Sequence, residues 1–224
     1  MDKIRIIELK QSVFEDNDRK AAELRKELKE KKVFLLNVMS SPGAGKTTTL
    51  TALINMIKED YRIGVMEADI DGDVDTSKII KNTGVRAIQL HTNGMCHLDC
   101  GMTRDGLDAI DLNDLDLIFL ENVGNLVCPA EFDTGASKNA VLLSIPEGDD
   151  KPIKYPLMFE KADVVVITKI DIKPYFDFDY DAIERNIRNR NKHCQIIRVS
   201  GKTKEGMNEL KAWLDNEIKE WRSK

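Results

Sequence analysis

The stretch from Val33 to Leu50, VFLLNVMSSPGAGKTTTL, limits what this chain can fold into more than any other segment. Val33 to Val38 is apolar except for Asn37 and carries a β-branched valine at each end, the pattern of a short buried strand. Ser40, Ser41, Pro42, Gly43, Ala44 and Gly45 break that strand, and from Thr48 to Ile57 the apolar spacing is helical. Strand, glycine loop, Lys-Thr and helix, in that order, make a phosphate-binding loop. Gly43, Ala44 and Gly45 let the backbone turn its N–H groups onto phosphate oxygens, and the new helix aims its positive end at the same anion. Lys46 adds a full charge near the β- and γ-phosphates, Thr47 offers a hydroxyl to Mg²⁺, and Thr48 completes the nucleotide-facing turn. Ser40 stands where such loops usually have their first glycine.

Further apolar runs at Tyr61–Glu67, Arg86–Leu90, Leu115–Leu120, Ala140–Ile145, Val164–Ile167 and Gln195–Val199 alternate with helical stretches. This predicts an α/β fold of the P-loop type, a mostly parallel sheet of about seven strands flanked by helices. Residues 33–224 would form this domain, and residues 1–32 a helical arm. The arm's stripe of Ala21, Ala22, Leu24 and Leu28 predicts a helix beginning near Asp16 or Asn17, tucked on the outside of the domain or offered to a partner. A net charge of −5, from 34 basic and 39 acidic residues, gives nucleic acid no basic face to bind. With no long apolar span and no signal peptide, a cytoplasmic chain without membrane contact is expected, its four cysteines held as thiols.

Four segments carry the remaining chemistry. Thr168-Lys169-Ile170-Asp171 is similar to the guanine-reading signature of GTPases, in which the carboxylate of Asp171 would accept from the guanine N1–H and amino group. Lys169 would lie along the base, and Ser200, Gly201 and Lys202 would back it through the main chain. Thr168 replaces the signature's asparagine, which costs a loop-bracing amide. Asp69 and Glu121 each close a strand near the phosphate loop and are candidate Mg²⁺ ligands with Thr47. Lys46, Asp69 and Asp75 form the candidate catalytic set; Asp75 and Asp71 are the weaker candidates, for positioning water, and Asp71 and Asp73 read rather as a solvated acidic loop. Gly124 would let the backbone approach the γ-phosphate.

Cys96 and His97 on one loop and Cys128 on another leave the same end of the sheet, a ligand set for Ni²⁺ or Zn²⁺. Equally, two buried cysteines beside a chance histidine account for those residue types. Cys100 is either a further ligand or an inert thiol, and Cys194, His193 and His91 have no assigned role.

Taken together, SSPGAGKTT, GMCHLD, ENVGNLVCPAEFD, EGDDKPIKYP and TKID resemble the HypB family, the nickel-incorporation GTPases of hydrogenase maturation. The resemblance spans Val33 to Trp221 and implies a fold like the dimerising GTPases of the signal-recognition and metallochaperone class. It implies slow GTP hydrolysis to GDP, a GTP-dependent homodimer, and delivery of Ni²⁺ to nickel–iron hydrogenase with a small zinc-containing nickel chaperone similar to HypA. By motif it makes Cys96, His97 and Cys128 the metal ligands, and the hydrogenase large subunit a partner. Residues 1–32 contain no Cys and no His, so the nickel-storing amino-terminal motif of many members is not expected here. Rival readings are a urease accessory GTPase, which typically has Cys-Pro-His where this chain has Cys96-His97-Leu98, a nucleotide-dependent interaction switch with structural zinc, and an ATP-using enzyme.

Overall fold

In the computed structural model, which describes residues 9–69 and 74–223, strands and helices alternate along the chain. The order is α1 (Leu9–Glu30), β1 (Phe34–Ser40), α2 (Lys46–Ile57), β2 (Ile63–Asp69), α3 (Val74–Thr83), β3 (Arg86–His91), α4 (Cys100–Ile110) and β4 (Leu117–Glu121). There follow the one-turn α5 (Cys128–Glu131), β5 (Lys138–Ser144), α6 (Lys151–Lys154), α7 (Pro156–Glu160), β6 (Val164–Thr168), α8 (Tyr180–Arg190), β7 (Gln195–Arg198) and α9 (Met207–Ser223). The strands form one seven-stranded sheet in the order β3-β2-β4-β1-β5-β6-β7. Every adjacent pair is parallel.

A parallel sheet buries both faces, and β1 shows how. Phe34, Leu36 and Val38 enter one core with α2 and α9, while Leu35 turns to a second core with α1 and α4, and Met39 to a third with α7 and α8. From β1 the chain builds first toward β2 and β3, then returns through β4 and crosses to β5. The crevice at the carboxyl end of β1 is therefore where the direction of winding reverses, the place such sheets bind ligands.

Three differences from the sequence reading have physical causes. Strands β1, β2, β4 and β6 run past their apolar stretches to Ser40, Asp69, Glu121 and Thr168, because main-chain pairing persists where the side chains turn polar to serve the crevice. Helix α1 is already helical at Leu9; Asp16 does not start it but lies inside it, pairing with Arg19 and Lys20 at 2.6 Å each. Its buried stripe is Asn17, Ala21, Leu24 and Leu28, at three- and four-residue spacing, and Ala22 is exposed. Helix α8 gave no apolar signal beyond Ile183 and Ile187; the Asp179 carboxylate starts it by accepting from the Asp181 and Ala182 N–H groups.

Candidate functional site

At the end of β1 the backbone enters the loop with Gly43 at φ 75° and Gly45 at φ 92°, conformations that side chains oppose. Gly45 caps α2 without a side-chain partner, leaving the first N–H groups of a 12-residue helix facing a cavity of about 470 Å³. Gly43, Lys46, Thr47, Thr48, Asp75 and Glu121 are among its lining residues. Ser40, fully buried, accepts a hydrogen bond from Lys46 Nζ at 2.9 Å, so the residue that departs from the usual glycine gives the lysine a neutral partner. Ser41 in turn donates to Glu147, a residue the sequence did not single out, which also receives the Ser144 N–H at 2.7 Å.

A second cavity of about 260 Å³ shares Gly45, Thr48, Lys169 and Gly201 with the first and adds Thr168, Asp171, Ser200 and Lys202. The first cavity is lined by phosphate-loop residues, and the second by residues of the 168–171 and 200–202 segments. Thr168 Oγ1 donates to Ala44 O at 2.6 Å and Lys169 Nζ to Gly43 O at 2.7 Å. The threonine hydroxyl thus supplies the brace that was expected to be lost with the asparagine. Lys169, at φ 59°, rests its stem against Gly45. A Cβ on Gly201 would come within 3.0 Å of the Thr48 carbonyl oxygen, so the two halves of the site close on each other through bare backbone.

The carboxylates differ in their surroundings. Glu121 is 2 % exposed and its Oε2 has no hydrogen-bond partner. Burial pushes its pKa up to about 8 against the opposing pull of the Lys46 ammonium. Glu67, missed in the sequence because it lies inside an apolar run, sits opposite Glu121 in the β2–β4 register and is itself buried, which raises its pKa too. Thr76 donates to Glu67 at 3.2 Å. An orphaned buried oxygen beside the Thr47 hydroxyl's cavity is a fitting place for a hard cation such as Mg²⁺, which favours oxygen donors and would hold the acid ionised. Asp75 lines the same cavity and pairs with Lys78 at 2.9 Å. Asp69 is exposed at the end of β2 and is not among the described residues lining the cavity, while Asp71 and Asp73 lie outside the described residues.

The loop after β3 carries Cys96 and His97, and Cys128 opens α5 rather than lying in a loop. The two sulfurs are 2.8 Å apart, and Cys96 Sγ is 4.0 Å from His97 Nδ1. One ligand atom from each of the three residues falls within 4.8 Å of the others. His97 is nearly buried, its Nε2 has no partner, and burial lowers its pKa, so the ring is held as neutral imidazole, the form that binds metal. Hydrogen bonding with Cys128, then burial, raises the Cys96 pKa. Cys100 packs into the second core and Cys194 into the third, burial pushing the latter's pKa up to about 11. Both read as inert thiols.

Residues 34–198 match a family described as the CobW/HypB/UreG nucleotide-binding domain. The chain belongs to this family. It is 42% identical over 213 residues to the hydrogenase maturation factor HypB of Azotobacter chroococcum mcd 1, covering 95% of this chain and 70% of that one. It is 38% identical over 213 residues to the hydrogenase/urease maturation factor HypB of Helicobacter hepaticus, covering 93% and 87%. A crystal structure of HypB from Helicobacter pylori in complex with nickel superposes with a TM-score of 0.86 at 37% identity, covering 92% of this chain and 96% of that one.

In this HypB-like chain the two centres are joined by the segment between β4 and α5. At its start, Asn122 donates to Asn37 Oδ1 at 3.1 Å and accepts from the Leu98 N–H at 3.3 Å, linking the sheet interior to the Cys96–His97 loop. Asn37 continues the chain of amides to Asn139 at 2.9 Å. Next, Gly124 lies so close to the phosphate loop that a Cβ there would meet the Pro42 ring and backbone at 3.1 Å. Asn125 then donates to the Cys96 carbonyl at 3.3 Å, and the segment ends at Cys128. Gly124 therefore touches the phosphate loop itself. The asparagines went unnoticed in the sequence because their partners are distant in the chain.

Proposed function

We propose that this chain is a GTP-hydrolysing metallochaperone that couples nucleotide state to the transfer of nickel into nickel–iron hydrogenase. One observation carries the reading: a single segment touches the phosphate loop at Gly124 and ends at Cys128, whose sulfur is 2.8 Å from that of Cys96. Gly43, Ala44, Gly45, Lys46, Thr47 and Thr48 would hold the phosphates. Thr47 and Glu121, with Asp69 as a further candidate, would hold Mg²⁺, which when bound supplies positive charge to the phosphate oxygens. Lys46 would leave Ser40 to neutralise charge developing toward the γ-phosphate, and Asp75 would orient water for attack. Asp171 would read guanine while Ser200, Gly201 and Lys202 flank the base. Cys96, His97 and Cys128 would carry Ni²⁺ as cargo, with Zn²⁺ an alternative occupant.

Three ligands leave a coordination position open, which suits a metal that is passed on. A second copy of the chain, a HypA-like chaperone or the hydrogenase large subunit would fill or empty it. GTP-dependent pairing of two copies would bring loops of this kind together. A cytoplasmic setting accords with thiols kept reduced, and among the described residues no helix is long and apolar enough to cross a membrane. The Helicobacter hepaticus relative is named for both hydrogenase and urease, so urease maturation is a second client reading that co-purification with either enzyme separates.

The experiment is a pair of variants. Lys46→Ala should abolish GTP binding and hydrolysis and leave Ni²⁺ binding, whereas Cys96→Ala should lose Ni²⁺ and keep GTP hydrolysis. Loss of folding and GTP binding together in Cys96→Ala would make the cysteine structural. Absence of hydrolysis in the unaltered chain would leave only a switch. Asp171→Asn should weaken GTP and admit xanthosine triphosphate; unchanged base preference would remove Asp171 from the site.

A further inference from the structure

The thiol–imidazole centre has a back wall that comes from far away in the chain. Asn17 is a polar residue in the otherwise apolar stripe of α1, and it is 8 % exposed. A buried amide is costly unless both of its ends are used, and here both are. Its Oδ1 accepts from the Cys100 N–H at 3.0 Å, three residues beyond His97. Its Nδ2 donates to the Asp133 carbonyl at 2.9 Å, five residues beyond Cys128. One side chain therefore grips the two ligand-bearing segments, which leave different strands. Beside it the His97 ring lies flat on Phe132, centroids 3.9 Å apart and planes at 11°, and Phe132 packs on Phe14 of α1 at 4.9 Å. Arg25, two turns along the helix, donates to both Asp133 carboxylate oxygens at 2.6 and 2.9 Å and to the Ala136 carbonyl at 2.9 Å. Arg104 of α4 donates to Glu27 at 2.9 Å, so the helix is also fastened on the Cys96–His97 side.

We propose that α1 is a positioning element of the metal centre, with Asn17 setting the separation of the two ligand segments and Phe14 setting the plane of His97 through Phe132. The inference rests on the metal reading above and deepens it. The His97 ring is stacked on Phe132, and Phe132 is held in turn by its tilted contact with Phe14, which restricts the orientation of the imidazole; an amide that spans two segments limits how far their sulfurs can part. Groups that orient metal ligands in this way change metal affinity about 10- to 100-fold when removed.

The test measures Ni²⁺ affinity by competition with a chromophoric chelator, the thiolate-to-nickel absorption band, GTP affinity and the thermal midpoint in the full chain. Asn17→Leu keeps the packing and removes both hydrogen bonds; Phe14→Leu removes the ring and leaves the amide. Each is expected to weaken Ni²⁺ at least tenfold and to alter the band, with GTP affinity within twofold of the unaltered chain. Asn17→Asp, which keeps the acceptor for the Cys100 N–H and loses the donor, should fall between. A lowered thermal midpoint with unchanged Ni²⁺ affinity and band in both variants would show that α1 only packs, and overturn the proposal. Asn17→Leu failing to fold shifts the decision to Phe14→Leu on the same criteria. Cys96→Ala serves as control: if it binds Ni²⁺ like the unaltered chain, the metal reading itself fails, an outcome distinct from failure of the helix's role.

Discussion

Glu121 sits deep in the sheet with one oxygen unpartnered and Glu67 as its lateral neighbour. Its folded pKa of about 8 lies above the ordinary 4.5, so the folded protein holds a proton that the unfolded chain has released across that interval. Stability of the metal-free, nucleotide-free protein therefore falls as pH rises from about 4.5 toward 8. Glu121→Gln should flatten that slope in urea unfolding, and Mg²⁺ with GTP should flatten it in the unaltered chain; a slope identical in all three would place the carboxylate elsewhere. Residues of this kind divide sharply in how visible they were beforehand. Gly43, Gly45, Lys46 and Thr47 could be read because one phosphate must be met by contiguous backbone and its next two side chains. Glu67 and Asn17 could not, because strand register and helix packing, not neighbours in the chain, bring them to the site.

Among the elements, α1 packs closely against the sheet. Ala21, Leu24 and Leu28 are at most 1 % exposed and share a core with β1, β4 and α4. Leu24 fills the space over Gly135, where a Cβ would come within 2.7 Å of it. Leu24→Ala should cost roughly 2–5 kcal/mol in urea unfolding, the usual range for a buried leucine, whereas a loosely held helix would lose well under 1. The spacing of the stripe predicted a helix but could not tell packing on the domain from packing on a partner, since both demand one apolar face. Strand centres were legible for the opposite reason: a parallel strand buried on both faces is mostly apolar, and a polar residue such as Asn37 is held there by the amides of Asn122 and Asn139. Their carboxyl ends were not, because Ser40, Glu121 and Thr168 stay in the ladder while serving the site. Helix α8, anchored by two isoleucines, offered too little apolar periodicity to be seen.

At the scale of the whole molecule, the segment from Gly124 to Cys128 runs from the phosphate loop to the candidate metal ligands. Gly124→Ala should press on Pro42 at about 3 Å, weakening GTP binding several-fold and blunting any effect of nucleotide on metal, as followed by paired titrations; an unaltered response would mean that communication takes another route. The central claim is that filling the phosphate site is felt at the sulfurs. Ni²⁺ affinity measured by titration on one preparation, once with GDP and once with Mg²⁺ and a non-hydrolysable GTP analogue, tests it most directly. The account predicts values that differ at least tenfold, about 1.4 kcal/mol of coupling, and equal values in the two nucleotide states would contradict it.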